Sequence, residues 1–169
     1  MLARRAMLAL PTLLLATGAG RAEAPPAPRG RVILDVSGRI APGPHGNPAR
    51  FDLARLDSLP QAGFATRTPW LDGERRFAGV AGAALVEALG ASGREVVATA
   101  LNDYRVTIPF ADFREAGLLL ATRLDGNPMP VREKGPVWIM YPFDTDARLR
   151  SELFYSRSIW QLRALEFRA

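Results

Sequence analysis

Short runs of branched and aromatic residues, each closed by Gly, Pro, Asn or Asp, repeat along this chain and set its expected elements. Val32-Ile33-Leu34-Asp35-Val36, ending at Ser37-Gly38, reads as a first strand. A Pro/Gly/Asn loop from Ala41 to Pro48 follows and carries His45. Asp52 stands where a helix cap belongs, with Leu53, Leu56 and Leu59 spaced by three before Pro60 stops the helix. Phe64 to Thr68 is a second strand leading into Pro69-Trp70 and an Asp72-Gly73 turn. Ala81 to Leu89, closed by Gly90, is a short helix. Glu95–Ala100 and Tyr104–Ile108 flank Asn102-Asp103 and read as a strand pair joined by a tight turn. Asp112 to Ala116 allows one helical turn, and Leu118 to Leu124 is a strand ending at the turn Asp125-Gly126-Asn127-Pro128. Val137–Tyr141 and Ser158–Phe167 supply two more strands, separated by a polar loop with Asp144, Asp146, Arg148 and Arg150. About seven short strands with two or three short helices, in no regular alternation, predict a single mixed-sheet α+β domain.

The N-terminus follows a different pattern. Arg4 and Arg5, the apolar stretch Ala6–Ala16 and the A-x-A site Ala22-Glu23-Ala24 predict an export signal over 1–24. The apolar stretch is interrupted by Pro11 and falls short of the roughly 20 residues of a spanning helix. Cleavage would leave a Pro-rich linker at 25–31, a folded domain at 32–169, no membrane span, and a periplasmic or secreted location. The adjacent arginines leave both the general and the twin-arginine export routes open.

Composition then narrows the chemistry. The 169 residues include no Cys and one His, and 22 Lys+Arg against 17 Asp+Glu give a net charge of +5. No disulfide, thiolate nucleophile, iron–sulfur cluster or Cys-based zinc site can be built from such a chain. Loss of 1–24 would lower the charge from +5 to +3, which gives little reason to expect a nucleic-acid partner. A Ser-His-Asp hydrolase would have to recruit His45 from a Pro/Gly loop, and no Gly-x-Ser-x-Gly elbow is present. Gly79-Val80-Ala81-Gly82 opens a helix whose amides suit an anion, yet close packing explains the glycines equally well. Asp144 and Asp146 lack the further spaced ligands of a calcium loop and read as solvated. Trp70, Trp138 and Trp160 read as core and pocket-lining aromatics rather than a ligand cage.

Three stretches carry a family resemblance. Phe77-Ala78-Gly79-Val80 leads into the Leu85-Val86 helix; Leu120-Ala121 runs to Leu124-Asp125-Gly126-Asn127-Pro128-Met129; and Lys134-Gly135-Pro136-Val137 to Tyr141-Pro142 is followed by Ser158-Ile159-Trp160. In this order they resemble the molybdopterin-binding domain of the sulfite oxidase superfamily. That resemblance implies the family's α+β fold and molybdopterin as the cofactor its cleft once held. In the family a Cys-x-x-x-Trp cysteine binds molybdenum; here Thr66-Arg67-Thr68-Pro69-Trp70 keeps the spacing with Thr66 in the cysteine's place. A Thr hydroxyl is not ionised near neutral pH, whereas a Cys thiol titrates near ~8.5 and lower beside a metal. Trp138 stands where the family's arginine is usual, and the acidic stretch Asp144–Glu152 replaces its basic phosphate loop.

The resemblance, less its metal ligand, implies a non-catalytic module that binds a small molecule in the old cofactor cleft or a periplasmic protein partner. The alternative is a molybdenum-cofactor-dependent oxidoreductase performing oxygen-atom transfer with Thr66 near the metal. A third possibility makes the likeness coincidental and the arginines plain surface. The candidate cofactor- or ligand-binding residues are Thr66, Arg67, Trp70, Asn102, Asp103, Tyr104, Arg105, Lys134 and Arg157. No catalytic residue or metal ligand is assigned.

Overall fold

A computed structural model of the chain describes residues 28–42 and 47–169. The predicted export signal at 1–24, the first three residues of the linker (25–27) and His45 lie outside the described residues. The described chain is α+β, with ten strands in two sheets and four short helices.

The first sheet has β1 (Leu34–Gly38), β2 (Ala49–Phe51), β5 (Glu95–Ala100), β6 (Arg105–Pro109) and β10 (Leu162–Arg168), in the order β2-β1-β10-β5-β6. Only the central β1–β10 pair is parallel, so the last strand enters the sheet between the first strand and β5. The second sheet runs β3 (Gln61–Thr68), β4 (Leu71–Ala81), β7 (Leu119–Leu124) and β8 (Asn127–Pro128), with β9 (Trp138–Met140) also pairing β7. One hydrophobic core draws on both sheets: Leu34, Val36, Val96, Leu165 and Phe167 from the first meet Phe77, Val80, Leu120 and Trp138 from the second.

Helices α1 (Leu53–Asp57), α2 (Gly82–Leu89), α3 (Phe110–Glu115) and α4 (Glu152–Arg157) are short. The Asp52 cap predicted for α1 is present and does more than cap. Its Oδ1 accepts the Arg55 N–H at 2.8 Å, while Oδ2 accepts the N–H groups of Arg29 and Gly30 at 2.8 and 2.7 Å. The domain's entry segment is thus fastened to its first helix. The Gly30 and Arg55 amides hold the Asp52 carboxyl below its ordinary value of 3.8. A depressed carboxylate pKa contributes stability above the unfolded-state value and loses it as pH falls through the folded one. Asp52→Asn is therefore expected to flatten the fall in unfolding midpoint below about pH 4, measured by thermal melts across pH 2 to 7. An unchanged acid limb would show that the carboxylate's hydrogen bonds add nothing to folding.

Three expectations need correction. Asp72-Gly73 is not the turn between β3 and β4; Pro69-Trp70 is. Arg67 pairs with Glu74 and Thr68 with Leu71, so Asp72 and Gly73 are extra residues in a bulge, with Gly73 at φ +71°. The loop expected between the last two strands contains α4, a helix too short for a hydrophobic period to reveal. Ser158–Trp160 is irregular, and the final strand begins at Leu162. That irregular stretch is still bonded: Ile139 N–H donates to Ile159 O at 3.0 Å, Gln161 N–H to Lys134 O at 3.0 Å and Leu162 N–H to Val137 O at 2.9 Å. These bonds join the approach to β10 in one sheet to the approach to β9 in the other.

Within β4, Gly79 lies so close to β7 that a Cβ there would overlap the Leu120 carbonyl. The glycine in the Phe77-Ala78-Gly79-Val80 motif thus serves strand packing. Its helix-opening partner Gly82 likewise lies against Phe113 in α3.

Candidate functional site: an aromatic cleft beside a buried polar triad

Four structural pieces meet at one end of the sheets: the β3–β4 turn, the β5–β6 turn, α4, and the irregular stretch before β10. They enclose an open cleft of about 420 Å³ walled by Trp70, Tyr104, Tyr155 and Trp160, with Asn102 and Glu152 among its polar residues. The β3–β4 bulge shifts the register just behind the turn that presents Trp70. Its ring centroid lies 5.6 Å from Trp138, 5.7 Å from Tyr155 and 6.0 Å from Trp160, mostly edge to face. Such geometry sets the positive edge of one ring against the negative face of the next. Trp138 is fully buried beneath this cluster, and its Nε1–H donates to the Ser158 carbonyl at 3.0 Å. Trp160 is 37% exposed and Tyr104 50%, unusual for large aromatics in a chain with a well-filled core.

At the β5–β6 turn, Asn102 Oδ1 accepts the Tyr104 N–H at 3.1 Å, and Asp103 adopts φ +64°. Asp103 turns outward to pair with Arg163. Lys134 does not line the cleft but lies against the indoles, its Nζ 4.1 Å from the centroid of Trp160 and 5.4 Å from that of Trp138.

The nine candidate residues therefore separate. Trp70, Asn102 and Tyr104 line the cleft, and Lys134 backs it. Arg105 is exposed on β6, while Asp103 faces Arg163, and neither lines the cleft. Thr66 is fully buried, and its Oγ1 accepts the Asp144 N–H at 3.1 Å. Arg67 completes that junction: its N–H donates to Asp144 Oδ2 at 2.8 Å. Asp144 is thus a clamp between β3 and the turn after β9. Asp146 accepts the Arg148 N–H at 2.9 Å and pairs with its guanidinium, which holds the carboxyl below its ordinary value. Both aspartates of the loop are engaged by protein groups, and among the described residues no three His, Asp or Glu cluster as metal ligands would.

Arg157 goes elsewhere. Its side chain, 13% exposed, donates from Nη1 to Asp112 Oδ2 at 3.0 Å. Tyr141, fully buried, donates its hydroxyl to the same oxygen at 2.9 Å. Burial, then the Asp112 charge, pushes the Tyr141 phenol far above its ordinary value, so it remains a neutral donor. This triad locks α4 to α3 and to the segment after β9. The sequence contained no signal for it, because its three members are separated by 29 and 45 positions from Asp112.

Tyr155 and Glu152 were likewise absent from the sequence-based candidates, since the segment containing them was expected to be a polar loop. The aromatic pair Tyr155 and Trp160 five positions apart is the one signal that could have found them. The chain matches no protein-family model and no curated protein sequence. Fold and cleft together define an α+β domain with an aromatic-walled cleft at one end of its sheets.

Proposed function

We propose that this is an exported binding protein with the fold of the sulfite oxidase superfamily's molybdopterin-binding domain, which holds a small molecule in its aromatic cleft and performs no redox chemistry. The observation that carries the reading is the cleft itself. Its volume of about 420 Å³ lies in the range of small-molecule sites, and its walls are large aromatics, Trp70 and Tyr155 half-buried and Tyr104 and Trp160 exposed. Stacking on such rings supplies affinity, and Asn102, Glu152 and Ser156 supply orientation.

The molybdenum reading requires a free donor at the cysteine's position, and the residues present do not fit that need. The Thr66 hydroxyl is buried and taken up by the Asp144 amide, with the Asp144 carboxylate against the neighbouring Arg67. A metal-bound pterin would have to break this clamp and approach a carboxylate instead of a thiolate.

Metal analysis of protein exported from a host that makes molybdenum cofactor is expected to find no stoichiometric molybdenum. Thr66→Cys is expected to gain none either, because the Asp144 turn still covers the position. Near-stoichiometric metal in the unaltered protein would overturn the non-redox reading. Ligand screening by melting temperature tests the binding half, since a guest bound only by the folded state adds RT ln(1 + [L]/Kd) to the unfolding free energy, about 2.7 kcal/mol at a hundredfold excess over Kd, and so raises the melting temperature.

A further inference from the structure

The charge pattern inside the cleft narrows the guest, on the premise that the cleft binds a small molecule at all. We propose that the guest is a small organic cation of the alkylated-ammonium class, held against the rings of Trp70, Tyr104, Tyr155 and Trp160 with the Glu152 carboxylate as its counter-charge.

Three observations lead there. The chain carries 22 Lys+Arg against 17 Asp+Glu, yet among the described residues the one charged side chain lining the cleft is acidic, Glu152. Among the described residues that carboxylate joins none of the ion pairs, as is also true of Asp52, Asp72, Glu74, Glu87, Glu95 and Glu115, but of these acidic residues it is the one that lines the cleft. Arg157, on the same helix, is held by Asp112 and does not line the cleft. The indole cluster, moreover, already holds a cation: the chain's one lysine places its ammonium 4.1 Å from the Trp160 centroid. The face of an aromatic ring is the negative end of its quadrupole, and several rings around one space are the usual receptor for an ammonium whose alkyl groups also seek apolar contact. A phosphate or carboxylate guest would instead meet Glu152 with no guanidinium to offset it.

Lys134 also sets a limit. Its charge beside Trp160 opposes a second cation in the neighbouring cleft, so the resident ammonium weakens the guest. This makes a prediction that a purely apolar cleft does not share.

The test is a calorimetric and tryptophan-fluorescence titration of the full folded protein with choline and with dimethylbutanol, its uncharged tert-butyl isostere. Choline is expected to bind about tenfold more tightly than the isostere, the range of a desolvated cation–ring contact. Trp160→Ala should weaken choline about tenfold, Glu152→Gln should weaken choline and leave the isostere unchanged, and Lys134→Gln should tighten choline. Equal affinity for the two probes, or a Glu152→Gln variant indifferent to charge, would overturn the cationic guest while leaving a binding cleft in place. If choline, the isostere and neutral indole all fail to bind, the small-molecule reading falls as well. Sedimentation with phosphatidylcholine vesicles separates the sources of such a cation: retention on vesicles that free choline displaces assigns it to a lipid headgroup, and no retention assigns it to a soluble molecule.

Discussion

Asp112→Ala is expected to destabilise the domain by about 3–5 kcal/mol, the cost of removing one partner of a buried ion pair. The Asp112 side chain is 11% exposed and that of Arg157 13%, and both the guanidinium and the Tyr141 hydroxyl converge on Asp112 Oδ2. Alanine would leave a charge and a phenol facing each other in a nearly dry space with no acceptor. Arg157 has no slack to absorb the loss, because its Nε is already buried without a partner. Asp112→Asn retains an acceptor for Tyr141 and should cost less, which separates the charge from the hydrogen bond. Denaturant unfolding with an unchanged m-value is the measurement, since a shift in midpoint alone then reports stability. A loss below about 1 kcal/mol would mean that the triad is wet and behaves as a surface pair. Because the triad anchors α4, the Asp112 variants should also loosen Tyr155 and Glu152 at the cleft.

Trp138→Ala has a comparable expected cost, about 3–5 kcal/mol, from lost burial plus the cavity left behind. Its indole is fully buried, lies 5.6 Å from both Phe77 and Trp70 and 6.2 Å from Trp160, and bonds the Ser158 carbonyl. The residue joins the β-sheet core to the floor of the cleft, so stability and binding should fall together. Trp138→Phe preserves most of the ring area and loses the Nε1–H bond, and a smaller destabilisation with weakened binding is expected. Unfolding experiments measure the first effect, and titration of the aromatic cleft at a temperature where the variant is folded measures the second. Full binding by folded Trp138→Ala protein would show that Trp70 and Trp160 hold their positions unaided.

Elements governed by residues close in sequence are legible in the sequence itself. Asp52 caps α1, Gly90 follows the end of α2, and Glu95–Ala100 with Arg105–Pro109 forms the hairpin that Asn102-Asp103 predicts. In each case the deciding force is local: a side-chain cap, a left-handed stop, or a turn whose residues tolerate positive φ. Errors fell where a local preference was overruled. Asp72-Gly73 carries a strong turn signal, but register across β3 and β4 made it a bulge and moved the turn to Pro69-Trp70. Helix α4 has six residues, less than two turns, and is held by Phe154 on Tyr141 and Tyr155 on Phe143 rather than by its own periodicity.

The candidate site divided along the same line. Asn102 and Tyr104 sit at the turn that Asn102-Asp103 predicts, whereas Trp70 sits at a turn that strand register moved from Asp72-Gly73; both turns lie at the sheet end where the cleft forms. Arg157 and Thr66 were placed by analogy of spacing, and their surroundings come from distant segments: Asp112 and Tyr141 for the one, Asp144 for the other. Arginine count could not predict which guanidiniums face ligand and which face protein. By itself the sequence determined the α+β class, the hairpin and the absence of any thiol, because composition and short-range turn chemistry suffice for those. Only the tertiary structure decided that Thr66 is clamped, that Arg157 is buried, and that Tyr155, Trp160 and an unpaired Glu152 share one cleft, because each depends on which distant residue satisfies a buried polar group or covers a ring.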